Sequence, residues 1–112
     1  MKSFVPLALA CFTFATHAHA ADKKTERMFG AKCAACHGKD GKAQTEKGKK
    51  MAMRDIASAD FQKATDDEMK TAINDGLKKD KDGVKQEMEG FKDEIKGPEL
   101  DAMVKYMREF KK

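Results

Sequence analysis

Two cysteines three residues apart, with a histidine directly after the second, concentrate the reactive side chains of this sequence in Cys33-Ala34-Ala35-Cys36-His37. Thiols at this separation reach the two vinyl groups of a haem as thioethers, and the adjoining imidazole can turn onto the iron. The segment is therefore a c-type haem attachment pattern, and the competing readings of the same residues fare poorly. A thioredoxin-like redox pair heads a helix after a strand in an α/β domain, but no strand pattern precedes Cys33. A structural zinc site needs four ligands, commonly two separated pairs, and the chain offers no second cluster of Cys or His. A disulfide between Cys33 and Cys36 closes too small a loop to stabilise much.

The first twenty residues differ from the rest and read as a signal peptide. Lys2 gives a positive start, Phe4 to Thr16 an apolar run, and Ala18-His19-Ala20 a small-residue cleavage pattern, so residues 1–20 are expected to be removed after Ala20. The run is too short to span a membrane. As a first helix of the folded domain it fits badly, since it has no acidic residue and contains Pro6. Lipoprotein processing at Cys11 is disfavoured because Ala8 stands where a large apolar residue is needed. Residues 21–112 are then one domain. Cys11, His17 and His19 leave with the leader, so every remaining cysteine and histidine lies between positions 33 and 37. The formal charge of +4 falls by one with Lys2. Small net charge, mixed sign and export argue against nucleic-acid binding.

The elements that must position the motif are helical. Asp22 to Lys32 is expected to form a helix that buries Met28 and Phe29 and delivers Cys33 at its end. Gly38 to Lys50, rich in glycine and lysine, is expected to be a solvated loop, and Met51 to Phe61 irregular with a single helical turn. Thr65 with Glu68 is a capping box opening a helix through Met69, Ala72, Ile73 and Leu77, with Gly76 as its C-terminal cap. Lys78 to Lys85 is expected to be a charged loop. Pro98 opens the last helix, whose stripe is Leu100, Met103, Val104, Met107 and Phe110. No stretch alternates long enough for a strand, so the fold class is all-α. Aromatic residues are few after the leader, and a haem would supply the missing core.

In this order of parts, residues 25–110 resemble a class I monohaem c-type cytochrome of the small bacterial kind. The resemblance implies an N-terminal helix ending in the motif, a middle helix, a methionine loop, and a C-terminal helix crossing the first around one covalent haem c. Phe29 then stands as the helix-crossing aromatic, opposite Met103 and Tyr106, and Thr25 replaces the usual glycine. The family's loop proline, whose carbonyl accepts the His37 ring N–H, has no counterpart, so another carbonyl is expected to orient the ring.

With His37 alone after cleavage, an intrachain bis-histidine site is excluded and the second axial ligand is expected to be methionine. Met28, Met69, Met103 and Met107 belong to apolar stripes, which leaves Met51, Met53 and Met88. The resemblance of Met88-Glu89-Gly90-Phe91 to the family's Met-Pro-x-Phe loop selects Met88, with Glu89 removing a backbone restraint.

Cys33 and Cys36 as thioether sites, with His37 and Met88 as axial ligands, imply a monomeric, soluble periplasmic one-electron carrier rather than an enzyme. The alternative is a haem-based gas or redox sensor with a labile or vacant sixth position. Lys32, Lys39, Lys42, Lys47, Lys49, Lys50, Lys78, Lys79, Lys81 and Lys85 flank the haem-bearing loops and offer a surface to acidic redox partners, although interleaved Asp and Glu equally serve solubility.

Overall fold

The computed structural model describes residues 22–110; the expected leader and its cleavage point lie outside them. Helix α1 (Lys23–Lys32) starts where the Asp22 carboxylate accepts the Lys24 N–H, and it carries Glu26 in its first turn and Lys32 in its last, both favourable to the helix dipole. It buries Thr25 and Phe29, one turn apart. A single turn, α2 (Ala34–His37), follows after Cys33 and ends at Gly38, whose φ of 74° suits glycine.

The segment after the motif departs from the expected open loop. Gly41, Ala43 and Gly48 are buried, and Thr45 caps a short helix, α3 (Glu46–Lys50). Composition concealed this because the buried residues are small and the rest of the helix is charged. The turn α4 (Ala59–Gln62), capped by Ser58, agrees with the single turn expected there. Helix α5 (Asp66–Asp75) carries both hydrogen bonds of the Thr65/Glu68 capping box, buries Met69 and Ile73, and ends at Gly76. Leu77, expected on its stripe, instead begins a strand and is 37% exposed.

That strand is the main departure from an all-α chain. Strands β1 (Leu77–Lys81) and β2 (Val84–Met88) pair antiparallel, with Leu77 opposite Met88 and Lys81 opposite Val84. The two residues between them, Asp82 and Gly83, have φ of 52° and 79°. This left-handed pair matches the twist of a tight hairpin, and Asp-Gly is its usual sequence. β1 is exposed along its whole length, so no apolar alternation marks it.

Helix α6 (Gly97–Glu109) has Pro98 in its first turn and buries Leu100, Met103, Val104 and Met107. It packs on α1 through Phe29, whose ring lies 5.2 Å from Tyr106 and 5.4 Å from Phe110. Phe29, Ile56, Ile95 and Met103 are the most deeply buried large side chains. From the same C-terminal turn of α6, the Arg108 guanidinium donates to the Gln62 and Ala64 carbonyls and to Asp66, binding α6 to the α4–α5 junction. Exposed ion pairs, Lys24–Glu99 at 2.6 Å and Lys70–Asp101 at 2.5 Å, join α6 to α1 and α5.

Candidate functional site

The Cys33–His37 segment is held by its backbone. The His37 N–H donates to the Cys33 carbonyl at 2.9 Å, and the His37 carbonyl accepts the Ala43 N–H at 2.8 Å. Thr45 joins this turn to α3: its hydroxyl donates to the Cys36 carbonyl at 2.7 Å and accepts the Gly48 N–H at 3.0 Å. The approach is so close that a Cβ on Gly48 would lie 2.5 Å from both the Cys36 and Ala43 carbonyl oxygens. Only glycine fits there. Neither Thr45 nor Gly48 stood out in the sequence, although a threonine followed by an acidic residue is an ordinary start signal for a helix.

Cys33 and Cys36 are half-buried free thiols. Burial pushes the Cys33 thiol up to about 11, against a smaller opposing effect of Lys32. Burial also lowers the His37 pKa, which favours the neutral imidazole that a metal needs. The His37 Nδ1 is buried without a hydrogen-bond partner. The carbonyl expected to orient it is not found among the described residues.

Cys33 and His37 open onto a cavity of about 850 Å³. Met51, Met53 and Met88 line it, as do the core methionines Met69, Met103 and Met107. Thus Cys33, His37 and Met88 are brought to one space, together with both rival methionines, while Cys36 lies outside the lining. Met69, Met103 and Met107 are buried, as their helical spacing implied, and Met28 packs partly buried against the core. Arg54, Lys63, Lys79 and Lys81 line the same space together with Asp60, Glu68, Asp80 and Glu87, so its charged wall is mixed in sign.

These residues fit a haem. The cavity is of cofactor size and mostly apolar in its lining, two free thiols stand three residues apart in the chain with Cys33 on its wall, and an imidazole with a buried Nδ1 keeps Nε2 as its available donor. Thioether sulfurs supply the soft ligands that suit iron opposite an imidazole.

A family model described as cytochrome c oxidase, cbb3-type, subunit III matches residues 20–107. The chain belongs to this cytochrome c family. The solved structure of the KustC0563 c-type cytochrome is similar at 30% identity with a TM-score of 0.65, over 79% of this chain and 98% of that one. Among curated proteins none matches. The fold is helical and cytochrome c-like, with a two-stranded hairpin, and as a c-type cytochrome the chain carries covalently bound haem c and serves electron transfer between redox partners. Among the described residues no helix is long and apolar enough to cross a membrane.

Proposed function

We propose that this cytochrome is an exported, periplasmic one-electron carrier with a single haem c, held by Cys33 and Cys36 and ligated by His37 and Met88. The observation that carries the reading is the shared cavity, onto which Cys33 and His37 open from the α1–α2 segment and Met88 from β2. Haem supplies the one-electron iron couple. Around it, His37 offers Nε2 while its Nδ1 stays buried, and Met88 offers a soft sulfur that favours the ferrous state and raises the potential relative to a second histidine.

A single haem follows from supply, since residues 21–112 contain two cysteines and one histidine. Arg54, Lys63, Lys79 and Lys81 stand on the cavity wall interleaved with Asp60, Glu68, Asp80 and Glu87, and the basic members of this mixed set are the groups that would meet the two propionates. The matched family is described by an oxidase subunit, but with His37 and Met88 both holding the iron this chain would pass electrons without binding a substrate there. Exposed Lys47, Lys49 and Lys50 on α3 favour an acidic partner surface.

The sensor reading is favoured by one observation: Met88 ends a hairpin and is followed by the exposed Glu89 instead of a restraining proline. Carbon monoxide added to the reduced protein separates the two. The carrier binds it slowly or incompletely; rapid, complete binding would overturn Met88 ligation and establish an open sixth position.

A further inference from the structure

The hairpin that ends in Met88 is attached to the rest of the molecule in an uneven way. At its base, Gly76 and Gly90 permit close backbone contact, and the N–H groups of Phe91 and Lys92 donate to the Ile73 and Asn74 carbonyls. Farther out, among the described residues, the only side-chain hydrogen bonds from β1 or β2 to another element come from Gln86. Its amide nitrogen donates to two successive carbonyls, Met51 and Ala52, each at 2.8 Å. Both partners are acceptors, so both amide hydrogens are used and the side chain can face only one way.

The anchored turn is itself constrained. Ala52 has a φ of 47°, a left-handed conformation that costs a non-glycine residue energy and persists only where the surroundings hold it. Gln86 also lies on the half-buried face of β2 with Val84 and Met88, whereas Lys85 and Glu87 are exposed. Along a strand, a residue two places away on the same face is the nearest neighbour of that face. Fixing Gln86 therefore fixes the register and height of Met88.

We infer that Gln86 is a positioning residue, clamping β2 to the Met51–Ala52 turn and so setting how firmly Met88 holds the sixth iron position. This rests on the reading of Met88 as a ligand. Gln86→Ala removes both donors, and Gln86→Glu keeps the size but turns a carboxylate toward two carbonyls. The test titrates the oxidised, haem-loaded protein with imidazole, an external ligand that must displace methionine, and follows the near-infrared methionine-to-ferric-iron band.

Both Gln86 variants are expected to bind imidazole about tenfold more tightly, the scale of one to two lost neutral hydrogen bonds, with a weakened band. Lys85→Ala, on the exposed face beside it, is expected to match the parent. An unchanged band and affinity in Met88→Ala would overturn the ligand reading and the clamp together. An altered Met88→Ala spectrum with parental affinity in both Gln86 variants would overturn the clamp alone.

Discussion

On the His37 side of the cavity the chain is held from within, by the Thr45 hydroxyl on the Cys36 carbonyl, by the Ala43 N–H on the His37 carbonyl, and by Gly48 pressed against two backbone oxygens. On the Met88 side a two-stranded hairpin, one strand of it fully exposed, reaches the cavity with Gln86 as its side-chain tie. A backbone-locked turn pressed on a neighbouring helix can change little without unfolding, whereas an exposed hairpin opens at low cost. On the proposed His37/Met88 ligation, the difference gives fixed geometry to the imidazole side and adjustability to the methionine side. A carrier so ligated needs both ligands held, so the weaker side is where ligand strength would be tuned.

Adding one methyl group to a glycine on each side probes this contrast. Gly48→Ala is expected to have the largest effect. Its Cβ meets backbone oxygens that cannot swing away, so overpacking should cost about 3 kcal/mol, read as a fall in Tm of about 10 °C or more and as less haem-loaded protein. A parental Tm would mean that the α2–α3 contact is looser than it looks. Gly83→Ala, at the tip of the hairpin, meets open space but keeps a φ of 79°. It should cost about 1 kcal/mol from backbone strain, with haem loading intact and the effect confined to the methionine band.

The smallest expected effect lies away from the cavity, at the α1–α6 pair of Lys24 and Glu99. The hydrogen bond and charge of Lys24 hold the Glu99 carboxyl below its usual range, and Glu99 raises Lys24 in turn. The folded state then binds fewer protons at Glu99 than the unfolded chain. The pair's contribution is present above the ordinary carboxylate range and is lost as pH falls through the depressed folded value. Lys24→Ala should lower Tm slightly at neutral pH, not at all in strong acid, and less in high salt, because Lys24 is exposed and Glu99 still reaches solvent. A loss that persists in acid would show that Lys24 acts through packing.

What could be read from residue types was the chemistry and the capped helices. Cys33, Cys36 and His37 were legible because their spacing has few other uses, and Thr65 with Glu68, like Pro98 in the first turn of α6, because helix starts are local chemistry. The hairpin was not, since a strand exposed along its length has no apolar period; its only local mark was Asp82-Gly83. The α2–α3 contact escaped because Ala43 and Gly48 are buried for their smallness rather than their hydrophobicity. Ile56 and Ile95 join the deepest core from outside regular helices, where periodicity says nothing. For the sixth ligand, the sequence reduced the seven methionines beyond the expected leader to three, and the fold brings all three of those to the same cavity. Gln86 was invisible because its partners are backbone carbonyls far away in sequence.

The central claim is one haem bonded through Cys33 and Cys36. Mass spectrometry of the denatured, haem-loaded protein, with and without Cys33→Ser/Cys36→Ser, tests it most directly. The expected result is a chain retaining the mass of one haem after denaturation and losing it in the double variant; a parent chain that releases its haem on denaturation, or a double variant that retains it, would contradict the claim.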